Sequence, residues 1–331
     1  MLSGRAFLSE YPPVTWLMPV RNGMPFLAAT LASIAAQTYA THRILVWDNG
    51  STDGTLEMLR AWIPERIAGT IVADRPLPLG LSRAALVEMA TTELCACIDA
   101  DDVNHPERLK CQVAAFQRMP DLVALGAVPD IIDEHDQTLP DWDYPLSDAE
   151  IRWRTRWQTS LNASSVMFRR SSVLAAGNYR DRIRGQDLDL WMRLAGVGRM
   201  EALPQRLVRY RRHSSNHTVA YRDYYTLDRT IAVGNAEVLF PDFLPDHAIQ
   251  LWEAAYPRHN QRGVAPRHFL LLRRAARTLA TALGAPADYF MNTKYYKFQR
   301  RFMLRNMGFG FFNIDAERFY ESKPAWLRLR R

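Results

Sequence analysis

Three short polar strings carry residue types that could do chemistry. Asp99-Ala100-Asp101-Asp102 directly follows the apolar run Leu94 to Ile98. A strand that ends in acidic residues delivers carboxylates to the edge of a sheet, where a hard divalent ion bridging to phosphate oxygens needs only one or two protein ligands. The same residues also have a local use, with Asp102 or Asn104 capping a following helix whose first turn holds Pro106. Trp47-Asp48-Asn49-Gly50-Ser51-Thr52-Asp53-Gly54-Thr55 again follows an apolar run. An acid at such a strand end can accept hydrogen bonds from a ribose hydroxyl or a base N–H, whereas Thr52 and Asp53 have the form of helix caps. In Gly185-Gln186-Asp187-Leu188-Asp189-Leu190-Trp191 two carboxylates open a helix, a placement the helix dipole alone favours by about 0.3 to 1 kcal/mol each. The two lie about 200° apart around the axis, so at most one can face a site.

Positioning such residues takes a scaffold, and the first half of the chain spells one out. Strands are expected at Val14 to Met18, Arg43 to Trp47, Gly69 to Ala73 and Leu94 to Ile98, and helices at Pro25 to Gln37, Thr55 to Trp62, Ser82 to Ala90 and Pro106 to Arg118. Alternation of this kind signals βαβ units on a mostly parallel, Rossmann-like sheet with helices on both faces. Ligands of such sheets bind beyond the carboxyl ends of the strands. Further on, Leu122 to Ile132 is strand-like, Asp133 to Asp148 is a polar loop over one edge of the sheet, Asn162 to Arg169 and Arg206 to Arg212 are strand candidates, and Gln186 to Ala195 is an amphipathic helix. Beyond about residue 220 the pattern is helical throughout, which predicts two parts, 1–219 and 220–331.

Composition sets the bounds. With 48% apolar and 11% aromatic residues the 331-residue chain can bury a substantial core, which excludes general disorder. The cysteines, Cys95, Cys97 and Cys111, have neither zinc-binding nor disulfide-framework spacing; the Cys95/Cys97 pair falls on one face of a strand and is expected to pack in the core. The start of the chain, MLSGRAFLSEYPPVTW, lacks the basic and long apolar stretches of a signal peptide, and no run of about 18 apolar residues occurs. A cytoplasmic protein, with possible contact to the inner membrane face, is expected. The net charge of +7 is uneven: residues 221 to 331 hold 18 Lys and Arg against 10 Asp and Glu.

Taken in order, VTWLMPVRNG, ILVWDNGSTDGT, LGLSRA, CIDADDVNHPERLKCQ, SSVMFRRSSVLAAGNY, GQDLDLWMRLA and VRYRRHSSN resemble the inverting glycosyltransferases of family 2, which have the GT-A fold. The resemblance spans roughly residues 12 to 216. It implies that Pro19, Val20 and Arg21 line a nucleotide pocket and that Asp48 contacts the donor's base. It further implies that Asp99 and Asp101 form the DXD element, with Asp101 a ligand of Mn²⁺ or Mg²⁺ on the diphosphate, and that Asp187 is the general base. His213 matches a histidine that approaches the metal or diphosphate, the bland alternative being a structural loop histidine. Three positions depart from the pattern. Asn49 replaces a second aspartate, Gln186 replaces a glutamate, and the Arg-Asn-x-Gly after the Gly-Leu-Ser turn is missing. Arg83 is the candidate for the resulting diphosphate contact, with a solvated helix arginine as its rival reading.

The resemblance implies a nucleotide-sugar donor, UDP-linked by preference, a glycan or polyprenyl-linked acceptor, and work on surface polysaccharide. Processive relatives carry spanning helices and a Gln-x-x-Arg-Trp element, and neither occurs here. A sugar-phosphate nucleotidyltransferase would need a glycine-rich phosphate loop after the first strand, which PVRNGMPF does not supply. A catalytically degenerate, membrane-bound binding subunit is the non-enzymatic alternative. Between Arg258 and Arg305 eleven basic residues (Arg258, Arg262, Arg267, Arg273, Arg274, Arg277, Lys294, Lys297, Arg300, Arg301, Arg305) face a single acid, Asp288. Apolar residues interleave them, as in helices that meet an anionic lipid surface; a helical bundle with a solvated basic face is the alternative. No recognition motif points to nucleic acid.

Overall fold

The computed structural model describes residues 11–73, 75–181, 184–214, 216, 224–256 and 264–306. The expected alternation is present as β1 (Val14–Val20), α1 (Leu27–Ala35), β2 (His42–Asp48), α2 (Thr55–Trp62), β3 (Gly69–Val72), α3 (Leu79–Met89) and β4 (Leu94–Cys97). There follow β5 (Val103–Asn104), α4 (Arg108–Arg118), β6 (Leu122–Asp133), α5 (Asp148–Thr155), β7 (Met167–Arg169), α6 (Arg170–Ala175), α7 (Gln186–Leu194) and β8 (Arg199–Arg212). All eight strands join one sheet in the order β3-β2-β1-β4-β7-β6-β8-β5. The β1–β2, β1–β4, β2–β3 and β6–β8 pairs are parallel, and the β4–β7, β6–β7 and β5–β8 pairs antiparallel. The sheet is therefore mixed, parallel in its first half and turned by the insertion of β7.

Side-chain alternation along the central strands separates two cores. Val14, Trp16, Met18 and Val20 of β1 point to one face with Ile44, Val46, Leu94 and Ala96. Leu17, Leu45, Trp47, Cys95 and Cys97 point to the other. All seven residues of β1 are buried, as a strand covered by helices on both faces requires, and the cysteine pair packs in the core as expected.

Some expected elements differ. Asn162 to Arg169 is not one strand: the Asn162 side chain accepts from the Ser165 amide at 3.2 Å, a local bond that competes with a ladder, and a 3₁₀ turn at Ala163–Ser165 precedes the short β7. The polar stretch before Asp148 does run as a loop, but α5 begins at its end. Ser147 and Glu150 form a capping box there, a signal carried by Ser-Asp-Ala-Glu.

From residue 224 the described residues are helical: α8 (Tyr224–Gly234), α9 (Ala236–Leu239), α10 (Pro245–Ala255), α11 (Pro266–Ala282) and α12 (Lys294–Asn306). The expected division between 219 and 220 lies outside the described residues. A third core ties the helices to the sheet half, because Trp153, Trp157, Leu188 and Met192 pack with Ile231, Phe240, Trp252, Leu272 and Phe290. Trp153 and Phe290 stack at 5.3 Å between centroids. A chain cut at residue 220 would return these side chains to water, at about 1.5 to 3 kcal/mol for each large one. Such a fragment should aggregate or unfold at a much lower urea midpoint than the full chain; an unchanged midpoint by tryptophan fluorescence would mean that the helices form a separable unit.

Candidate active site

Parallel pairing brings the carboxyl ends of β1, β2 and β4 to one edge, with Val20 opposite Asp48 and Leu17 opposite Cys97. Pro19 and Val20 are buried, Val20 within the first core, and Arg21 is exposed. Asp48, 2% exposed, accepts from the Ser51 amide at 3.1 Å and from the Ser51 hydroxyl. The loop after β1 is laced to the loop after β2. Asn22 Oδ1 accepts from Thr52 N at 2.9 Å, and Gly23 N donates to Thr55 Oγ1 at 2.8 Å. Asp53 accepts from Met24 N at 3.0 Å and from Thr55. Thr52 is thus a loop tie, while Asp53 both ties the loops and accepts from the Thr55 amide at 3.2 Å at the start of α2, as its capping reading expects; the N-cap position itself is Gly54 in a left-handed conformation at φ 89°, which a side chain would strain. The Asn49 departure has a local reason: its amide both accepts, from Leu77 N at 2.9 Å, and donates, to Ser82 Oγ at 3.4 Å, and an aspartate cannot donate.

The acidic loop after β4 is held by arginines. Arg83, only 5% exposed, donates from Nη2 to Asp99 Oδ1 at 2.6 Å, so the solvated reading of Arg83 is overturned. Burial works against the Arg83 charge, and Asp99 together with Tyr179, Cys97 and Asp187 outweighs it, leaving the guanidinium above its ordinary pKa. The Asp99 carboxyl is itself raised by burial, with Arg83 opposing and Asp101 and Asp187 adding like charge. Arg211 of β8, 2% exposed, donates from Nε to the Asp101 carbonyl at 3.0 Å and from its amide to Asp102 Oδ1 at 2.8 Å. Arg108, with no exposed surface, supports the strand end from below. It donates to the Cys97 carbonyl at 3.0 Å and to Asn104 Oδ1 at 2.6 Å, and sits 5.0 Å from the Trp16 ring. Burial pushes its pKa down to about 10. Asp102 and Asn104 are therefore structural, but not as caps: α4 begins after Glu107. Asp102 is fully buried, and burial followed by the charges of Asp101 and Asp99 raises its carboxyl well above the usual range.

His213 arrives from the end of β8, with Nε2 2.9 Å from Asp101 Oδ2. Asn216 Nδ2 donates to the same oxygen at 3.0 Å. Arg211 and Asn216 were missed in the sequence; Arg211 was findable, since it lies two residues from His213 on a strand and so shares its face. Arg108 left no such signal, because a helix arginine is usually solvated.

The two acids of α7 part as their spacing demands. Asp189 is fully buried and pairs with Arg193 Nη2 at 2.7 Å and Arg180 Nη1 at 3.4 Å, while Asn235 Nδ2 donates to it at 3.1 Å. Asp187 is half-buried, takes a long 3.4 Å contact from Thr159 Oγ1, and its charge is felt at Asp99 and Arg83. Gln186 is 7% exposed, a place where an amide is cheaper to bury than a carboxylate.

Among the described residues no three His, Cys, Asp or Glu side chains form a ready cage for an ion. Asp99 and Asp101 after β4, with the His213 imidazole brought to Asp101 from the end of β8, nonetheless make a donor set suited to Mg²⁺ or Mn²⁺ when substrate phosphates complete the shell. The residues present fit such an ion.

A family model described as glycosyl transferase family 2 matches residues 15–175. An uncharacterised glycosyltransferase of Mycobacterium tuberculosis is 31% identical over 189 residues, covering 56% of this chain and 80% of that protein. The chain belongs to glycosyltransferase family 2. The amylovoran biosynthesis glycosyltransferase AmsE of Erwinia amylovora is 29% identical to this family 2 enzyme over 187 residues, 56% of this chain and 70% of AmsE. Its fold is that of S. aureus TarS, solved with UDP-GlcNAc, at a TM-score of 0.59 and 16% identity over 89% of each chain. It is also that of a mannosyltransferase from Pyrobaculum calidifontis in complex with GDP-Man and Mn²⁺, at 0.54 and 18% over 90% and 88%. The glycosyltransferase thus has the expected GT-A architecture.

The burial contrast on α7 has a direct readout. Asp189→Asn breaks a buried ion pair and should cost about 3 to 5 kcal/mol, whereas Asp187→Asn should stay within about 0.5 kcal/mol of wild type. Urea denaturation measures both; equal losses would contradict the different environments of the two acids.

Proposed function

We propose that the protein is an inverting, non-processive glycosyltransferase that moves a sugar from a nucleotide diphosphate donor, UDP-linked by preference, to a glycan or polyprenyl-linked acceptor. The observation that carries this is the separation of roles on one sheet edge: Asp187 shares a field with Asp99 and Arg83, while Asp189 is withdrawn into a buried ion pair. In this reading Asp101, Asp99 and His213 hold Mn²⁺ or Mg²⁺, which when bound stabilises the charge of the departing diphosphate.

The chain's own residues do the rest. Pro19, Val20 and Arg21 wall the donor, and Asp48, steadied by Ser51, accepts from the donor's base. Arg83 opposes the upward push of burial on Asp99 and offers positive charge near the diphosphate. Asp187 takes the proton from the acceptor hydroxyl as that oxygen bonds to the anomeric carbon and the bond to the donor phosphate breaks. One base and no protein nucleophile gives a single displacement, hence inversion.

The likeness to a protein named for amylovoran biosynthesis supports a role in surface polysaccharide. No described helix is long and apolar enough to cross a membrane. The basic helices support peripheral contact. Arg273 and Arg277 of α11 and Arg300 of α12 gather around Tyr296, and Leu270 on α11 is 70% exposed. Lys294 is not free for this, being paired with Asp143 at 2.5 Å. Arg258, Arg262 and the Arg305 side chain lie outside the described residues.

Asp187→Asn should bind donor and cation normally yet transfer sugar about 10²- to 10⁴-fold more slowly; near-normal turnover would remove Asp187 from its role. Asp101→Ala should keep its fold and lose Mn²⁺-dependent binding of the nucleotide sugar in calorimetry, and unchanged binding would end the metal assignment. Charge reversal at Arg273, Arg274, Lys297, Arg300 and Arg301 should release the protein from phosphatidylglycerol vesicles, as should raised salt for the wild type. Failure of the wild type to sediment with vesicles at low salt would leave a solvated basic face.

A further inference from the structure

A cavity of about 200 Å³ lies where α5, the turn after α7, the α9–α10 connection and α11 meet. Its walls are mostly apolar, with Leu239, Phe240, Ala275 and Leu279 among them, and they include Arg156. That arginine is 7% exposed. Its Nη1 donates to the Arg152 carbonyl at 2.6 Å, and its guanidinium stands 5.8 Å from the Phe240 ring centre. Its Nε is buried without an acceptor, and among the described residues no carboxylate pairs with it. Arg152, on the same wall, is already committed to Asp148 at 2.8 Å and to the carbonyls of Ala195 and Gly198. Asp242 also lines the cavity, and among the described residues its backbone carbonyl is engaged by Arg274 at 2.7 Å.

A buried cation with no counter-charge is costly to a fold. Here the cost shows as a guanidinium pushed down to about 9, first by burial and then by the neighbouring Arg152. A guanidinium without a counter-charge takes an oxyanion through charge-assisted hydrogen bonds. We infer that the cavity is a binding site for a small amphiphilic anion, with a phosphate or carboxylate head on Arg156 and a short apolar chain along Leu239, Phe240 and Leu279. It is too small for a nucleotide sugar, since sites for drug-sized ligands start at roughly 300 Å³. It also lies at the far end of α7 from Asp187, about 12 Å of helix away, so it stands apart from the sugar-transfer reading and from the donor.

Octyl phosphate, octanoate, inorganic phosphate and octanol, all kept monomeric, are the probes, and calorimetry on the full chain is the measurement. Octyl phosphate or octanoate should bind at least about 10-fold tighter than inorganic phosphate or octanol, a factor that corresponds to about 1.4 kcal/mol. Arg156→Met should lose that binding while its thermal midpoint stays level or rises, because an unpaired buried charge has been replaced by an apolar chain. Ala275→Leu, which fills the cavity and leaves the arginine in place, should lose binding too, and it decides the matter if Arg156→Met does not fold. Equal binding by either folded variant, or by inorganic phosphate alone, or no binding by the wild type, would overturn the site. A lipid headgroup and a free amphiphile share this chemistry: phosphatidic acid vesicles that displace bound octyl phosphate assign the site to lipid, and failure to displace it assigns the site to a free ligand.

Discussion

Four carboxylates, Asp99, Asp101, Asp102 and Asp187, crowd one end of the sheet, and the rest of the architecture answers the repulsion among them. Like charges a few ångströms apart inside a protein raise one another's pKa and oppose folding unless cations or protons intervene. Arg83 pairs with Asp99, Arg211 clamps the backbone of the loop, and Arg108 fixes the strand end beneath it. Each of these arginines is nearly or fully buried, so each has been desolvated to serve the loop. Burial and mutual repulsion still raise the Asp99 and Asp102 carboxyls, so the arginines temper the repulsion without removing it.

The three arginines come from three different elements, α3, α4 and β8. This explains the mixed sheet. A purely parallel sheet would end with its loops pointing to solvent, whereas the turn of direction at β7 brings β8 back across β6 and past the acidic loop. His213 and Asn216 reach Asp101 only because β8 ends there. The helix carrying Asp187 is fixed from the opposite side. Asp189, two residues on, is anchored to Arg193 and to Asn235 between α8 and α9, and Leu188 and Met192 enter the tryptophan-rich third core. The helical region thereby sets where α7 sits, although its described residues supply none of the acids at the sheet edge.

Much of this was legible in the sequence. The βαβ half followed from periodicity, because alternate burial on the two faces of each strand leaves a pattern of period two and covered helices one of 3.6. The acidic strings were visible because a strand followed by several aspartates is wasteful unless the charges are used. Helical spacing alone required that Asp187 and Asp189 part company, but not which would turn inward. The order of the motifs carried the family.

What the sequence determined was local: which residues could be strands, which acids stood at their ends, and which pair could not share a face. What only the tertiary structure decided was who neutralises whom. Arg83 stood between a diphosphate contact and a solvated helix arginine, Arg108 gave no sign, and Asp102 and Asn104 resembled caps, because the partners lie 16, 11 and 109 residues away in the chain for Arg83 to Asp99, Arg108 to Cys97 and Arg211 to Asp102. Periodicity reports the environment of a residue averaged over its own element. Charge pairing depends on distances of about 3 Å between elements, and those distances exist only once the sheet has turned and the helices have packed.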